Sequence, residues 1–396
     1  MKFNRYIIAS FTALALAPGF VSCGDDDDFT DTIFPDVPDT VDPSSATYKF
    51  DTWLIRNFRD VYNLEFCYKM EDVETDMNYN LVPATLQNAQ DLALLTKYLW
   101  FDAYEELCYK EGDEDSGKEF LKQYGPRIIH LIGSPAYNPS TGTEILGLAE
   151  GGIKVSLFKV NELNVTDFNQ LNEYYFRTMH HEFAHIMHQT KSYPAEFNTL
   201  SNGRYDDNNW QDRNNGIVNS LGFITSYASS QTREDFAETI ANFITRTDDQ
   251  YNLLLWCADQ NWYSGEDATD QSKAQCYYYY ANDEDREANV RTYTLQFVDD
   301  KSRNLMTLVD SSGNVYSTVE QVEAYLARMG EKYTMYPYEI SDGVDGRAII
   351  NQKVNIARNW LKDEWGLDFD KLREIVQRRQ YDFNMDELRQ EIENIQ

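Results

Sequence analysis

The stretch His181-Glu182-Phe183-Ala184-His185 decides how this chain is read. Residues four apart on a helix stand one above the other. His181 and His185 would therefore present two imidazoles to one metal ion, with Glu182 beside them as a general base. A zinc-dependent hydrolase needs that set of groups. Four of the five histidines, at 180, 181, 185 and 188, fall within nine positions of a 396-residue chain, which argues against a chance match. Asp167 or Thr166 can cap a helix start, so the spacing predicts a helix from about Phe168 to Gln189. Phe176, Met179, Phe183 and Met187 form its packing stripe, and chemistry belongs to the opposite stripe.

Upstream of this helix the hydrophobic period changes. Residues 127–132 read as a strand, and 144–149 with 153–158 as a hairpin around Glu150-Gly151-Gly152. The result would be a small mixed sheet beside the HExxH helix, with one edge left for an extended substrate. His130 in the first strand reads as a core or surface residue. Residues 48–70 and 88–109 have helical spacing, and the polar run 111–117 interrupts it. Later helices are predicted over 317–329, 345–365 and 370–379, with a short one from Asn384. Ile350, Val354, Ala357, Leu361 and Trp365 form the buried stripe of the longest. The fold class is α+β, predominantly helical. The organisation is a catalytic region over 47–260 and a mainly helical C-terminal region over 261–396 packed on it. Tyr277 to Tyr280 would line a recognition surface or bridge the core to water.

The amino terminus says where the chain works. Lys2 and Arg5 precede an apolar run over 8–17 that is short for a membrane span, so 1–22 reads as a signal peptide. It ends in Gly19-Phe20-Val21-Ser22-Cys23, which resembles a bacterial lipobox, with Cys23 as the lipidated residue. Gly24-Asp25-Asp26-Asp27-Asp28 resembles the acidic surface-export tag of Bacteroidota lipoproteins. Residues 23–46 read as an acidic, flexible tether. The formal charge of −31 becomes −33 when Lys2 and Arg5 leave with the signal. Without any basic patch, that charge excludes a nucleic-acid partner and disfavours anionic lipid. The remaining cysteines lack zinc-site spacing. Cys67 with Cys108 and Cys257 with Cys276 are the most local disulfide pairings, and free buried thiols are the alternative.

A zinc site needs a further protein ligand and an open position for water. The best source is the segment from Thr225 to Glu238, where a helix starting near Thr232 puts Glu234 and Glu238 one turn apart. Thr232 followed by Asp235 has the spacing of a helix cap. One glutamate would bind the metal, and the other would accept a hydrogen bond from a ligand histidine. His188 lies on nearly the same stripe as His181 and His185. It would serve as a third ligand in place of Glu234, as a substrate contact or within a hydrogen-bond network. Seven residues span about 10.5 Å of helix, which favours a place outside direct coordination. His180 points away and reads as packing. In the loop between the two helices, Tyr205, Trp210 and Arg213 read as structural, with substrate contact as the alternative. Its aspartates lack calcium-loop spacing.

His181-Glu182-x-x-His185, Tyr227 and Glu234-Asp235-Phe236-Ala237-Glu238 resemble the gluzincin metallopeptidases of the anthrax lethal factor type. The wider chain resembles the Bacteroidota zinc-binding metallopeptidases, also described as substrate-import-associated zinc metallohydrolase lipoproteins. Cys23, Gly142-Thr143 through Lys154, His180 through Gln189, and Ile349 through Val354 carry that similarity. The resemblance implies a zincin-like fold. It implies His181, His185 and Glu234 as zinc ligands and Glu182 as general base. Tyr227 would donate a hydrogen bond to the transition state, and Glu238 would stand behind a ligand.

The resulting expectation is a zinc metallopeptidase, anchored in the outer membrane through Cys23 and exposed at the cell surface, that acts on a peptide or protein. Its implied partners are a TonB-dependent importer and that importer's surface lipoproteins. The competing expectation is an accessory lipoprotein of such a system that is non-catalytic or cleaves a non-peptide bond.

Overall fold

In the structure, a computed structural model, the HExxH segment lies on a helix that packs along a second helix and against a mixed four-stranded sheet. The structure describes residues 41–70, 81–137, 144–145, 147–150, 154–262, 273–288, 293–300, 305–310, 312–337 and 343–396. The expectations for 1–22, for Cys23 and for most of the 23–46 tether lie outside these residues, as do Gly142-Thr143, Gly151 to Ile153 and the side chains of Tyr277 to Tyr279. At 41–45 the chain makes a turn in which Asp42 accepts hydrogen bonds from the amide and hydroxyl of Ser44. Residues 46–396 pack as one unit. No helix among the described residues is long and apolar enough to cross a membrane.

The first sheet contains β1 (Glu65–Cys67), β2 (Ile128–Leu131), β3 (Gly147–Glu150) and β4 (Lys154–Leu157), in the order β1-β2-β4-β3. β1, β2 and β4 are parallel, and β3 pairs antiparallel with β4 as the hairpin pattern predicts. β1 corrects one expectation. The helical spacing over 48–70 holds only as far as Tyr62, where Asn63 turns left-handed at φ 55° and the chain enters a strand beside β2. Asparagine tolerates that conformation, and the aromatic spacing of this segment suits either period.

The segment from Phe168 opens on Asp167, whose Oδ1 accepts hydrogen bonds from the amides of Asn169 and Gln170 at 3.1 Å. After one widened turn it continues as α1 (Arg177–Thr190), which carries HExxH. Phe176, Met179, Phe183 and Met187 are buried. Phe183 packs edge-on against Trp100 and Tyr104 from the helical run over 86–108, with ring centroids 5.2 and 5.3 Å apart. Burying such a ring stabilises the fold by about 1.5–3 kcal/mol. His180 turns into the same cluster, its Nδ1 hydrogen-bonded to the Tyr104 hydroxyl at 3.1 Å, while burial pushes its pKa down to about 3. His130 is likewise buried in β2.

α2 (Thr232–Thr245) packs along α1. It begins at Thr232 but is not capped by it. Gln231 occupies the cap position and makes no side-chain cap bond. α3 (Gly346–Trp365) and α4 (Phe369–Tyr381) enter the same core through Val354, Ala357, Leu361, Leu372 and Val376. Between α2 and α3, residues 273–337 carry an antiparallel five-stranded sheet for which the sequence pattern gives no counterpart. Cys108 is a free thiol with its pKa pushed up by burial to about 11, so the expected bridge between Cys67 and Cys108 is not formed. Cys276 lies outside the described side chains.

Candidate metal centre

One turn of α1 puts His181 and His185 side by side, their ring centroids 4.7 Å apart. α2 crosses them and adds a carboxylate. His181 Nε2 lies 3.0 Å from His185 Nε2 and 3.1 Å from Glu234 Oε2, and His185 Nε2 lies 3.2 Å from the same oxygen. Among the described residues these three form the group of metal-capable side chains whose donor atoms converge. The chemistry of this donor set fits zinc. Ligands at about 2.0–2.1 Å in a tetrahedron sit roughly 3.3 Å from one another, close to the observed triangle. Two imidazole nitrogens and a carboxylate oxygen aimed at one point also need a shared cation or proton.

The atoms facing away from that point are held too. With His181 Nε2 turned to the centre, its Nδ1–H donates to Glu238 Oε1 at 2.9 Å. Glu238 Oε2 accepts from the Thr225 hydroxyl at 2.6 Å and from Asn242 Nδ2 at 3.1 Å. Burial alone would raise the Glu238 carboxyl, but the hydrogen bond and charge of His181 hold it at about 2. Burial alone would lower His181, and the two carboxylates instead push it up to about 10. Glu234 is held far below the usual carboxylate range by both histidines, against the effect of burial. His188 lies behind His185, its Nε2 at 2.8 Å from His185 Nδ1. Burial and the neighbouring His185 bring His188 down to about 4.

Glu182 follows His181 on α1, and burial raises its carboxyl. Tyr227 opens a short 3-10 turn, and its ring stacks on that of His181 with the planes inclined by 29° and the centroids 5.8 Å apart. Burial, then the charge of Glu234, pushes its phenol well above the ordinary tyrosine range. Trp210 packs edge-on against Tyr227 at 4.7 Å. The loop residues Tyr205 and Arg213 are turned elsewhere: Tyr205 donates to Asp235 Oδ2 at 2.8 Å and Arg213 to the Arg204 carbonyl at 3.0 Å. The structure thus gathers His181, Glu182, His185, His188, Tyr227, Glu234 and Glu238, and it adds Thr225 and Asn242. Asn242 was within reach of sequence reasoning, because it lies one turn after Glu238. Thr225 has no such local signal. A cavity of about 380 Å³ lies around Arg246, beyond the opposite end of α2, and contains none of these metal-site residues.

Residues 44–284 match a family model described as "Putative zinc-binding metallo-peptidase". The crystal structure of a protein from Bacteroides caccae ATCC 43185, titled a putative zinc-binding metallo-peptidase, is similar at 30% identity with a TM-score of 0.56. That similarity covers 88% of this chain and 97% of the other. No curated protein matches the chain. A family match that spans more than half of the sequence, and includes both helices that build the centre, makes this chain a member of that zinc-binding metallo-peptidase family.

Proposed function

We propose that the chain is a zinc-dependent peptidase of gluzincin type. The observation that carries this reading is the triangle of His181 Nε2, His185 Nε2 and Glu234 Oε2, with sides of 3.0–3.2 Å. A bound zinc ion would supply Lewis acidity, acidifying water and polarising the scissile carbonyl. Glu182 takes the proton of the attacking water and passes it to the departing amine. Its raised pKa brings it nearer the working range of a general base. Tyr227, kept protonated, donates a hydrogen bond to the developing oxyanion. Glu238 and His188 hold the ligand imidazoles, and edge strand β3, which runs against α1, offers backbone groups to an extended peptide. The test compares purified wild type with Glu182→Gln on a mixed peptide library at controlled zinc. Equal cleavage would sink the base assignment.

We further propose, from the sequence of 1–28, an outer-membrane lipoprotein anchored through Cys23 and displayed at the cell surface, working beside a TonB-dependent importer. Mass spectrometry of the mature amino terminus tests the anchor, with Cys23→Ala as control. An unmodified Cys23 would remove it.

A further inference from the structure

Lys353 sits two turns into α3, outside the residues matched by the family model, with its side chain 1% exposed. Its ammonium donates to Asp235 Oδ2 at 2.6 Å and to the Gly222 carbonyl at 2.7 Å. The ammonium also stands 4.3 Å from the centre of the Phe223 ring. Asp235 follows the zinc-facing Glu234 on α2 and is turned about 100° from it around the helix axis. Gly222 begins the segment that leads through Thr225 to Tyr227. Its φ of +88° and the Ile349 methyl, 2.5 Å from where a Cβ would lie, leave room for no other residue.

We propose that Lys353 is a positioning residue for the metal centre. From a C-terminal helix it fixes the rotation of the first turn of α2, and it holds the Gly222–Tyr227 segment against that turn. This proposal rests on the reading of His181, His185 and Glu234 as a metal site. No side-chain cap at Gln231 fixes that first turn. The pin on Asp235 takes that part, and Tyr205 strengthens it by donating to the same oxygen. One ammonium thereby ties together the Glu234 carboxylate, the Thr225 hydroxyl behind Glu238 and the Tyr227 phenol. Both charges are taken out of water, the Lys353 side chain 1% and the Asp235 side chain 0% exposed. A purely apolar contact would pack there without that cost.

The experiment uses the full mature chain and three variants, Lys353→Met, Lys353→Met with Asp235→Leu, and Tyr205→Phe. Folding is followed by circular dichroism, zinc affinity by chelator competition and site geometry by the visible absorption of the cobalt(II)-loaded protein. Lys353→Met strands a buried carboxylate and tests the whole arrangement. The double variant removes both charges, so packing is restored while the pin is lost. A folded double variant with zinc binding weakened tenfold or more and an altered cobalt spectrum supports the proposal. A folded double variant with wild-type affinity and spectrum overturns it. If both Lys353 variants fail to fold, Tyr205→Phe decides. Two- to threefold weaker zinc binding supports the proposal, and unchanged binding overturns it. Failure of the wild type to bind zinc or cobalt would overturn the metal-site reading, and this inference with it.

Discussion

Glu238 Oε1 lies 2.9 Å from His181 Nδ1, so one carboxylate of α2 orients the imidazole from behind while Glu234, one turn earlier, faces its Nε2. The second oxygen of Glu238 already accepts two donors, Thr225 and Asn242. Glutamine cannot reproduce this, because an amide has one acceptor oxygen for three donors, and its NH₂ would face a donor on one side. Glu238→Gln should weaken zinc binding by about 10- to 100-fold, measured by chelator competition. Wild-type affinity would exclude an orienting role.

Tyr227 has a different signature. Its ring is set between His181 and Trp210, so Tyr227→Phe keeps the stack and removes only the hydroxyl. Loss of an oxyanion donor costs roughly 100-fold in kcat, with KM and zinc affinity near wild type. A change confined to KM would instead make Tyr227 a binding residue.

Phe183 lies inside the motif but packs away from the triangle of His181, His185 and Glu234. It is 1% exposed among Trp100, Tyr104 and Phe120. Phe183→Ala should destabilise the fold by about 3–5 kcal/mol through cavity formation, read from urea unfolding. The fraction that remains folded should keep zinc affinity within a few-fold. Loss of metal binding without loss of stability would place Phe183 in the site.

What could be read in advance was the part written in short periods. His181 and His185, and then Glu234 and Glu238, each sit one helical turn apart, and the Asp167 cap is two and three residues from the amides it satisfies. Relationships across the chain left no such trace. Lys353 meets Asp235 across 118 positions, and nothing in the local pattern of either residue announces the other. Asn63 ends a helix whose aromatic spacing would continue, because pairing with β2 outweighs local periodicity. Trp210 reads as a loop residue, and its ring meets Tyr227 through the folding of a connection with no period of its own. The helix read over 317–329 is present as Val319–Gly330, but the strands 273–280, 293–300, 305–309, 315–316 and 334–337 around it pair across the chain, a long-range result that no local pattern announces.

The last prediction concerns the metal itself. In the metal-free protein two carboxylates hold His181 at a pKa of about 10, so it carries a proton at neutral pH. Zinc must displace that proton, because the ligand nitrogen has to be neutral. Binding should therefore release protons at pH 7 and weaken as pH falls, by up to tenfold per unit while His181 is the group displaced. Calorimetry in buffers of different ionisation enthalpy measures the release, and chelator competition at pH 6 and pH 8 measures the slope. At a free zinc concentration of about 1,000 times Kd, the bound metal adds about 4 kcal/mol to stability. Chelation should accordingly lower the Tm of the wild type and leave that of His185→Ala almost unmoved. A wild-type Tm indifferent to zinc, together with no proton release, would mean that the triangle of His181, His185 and Glu234 is held by a proton alone.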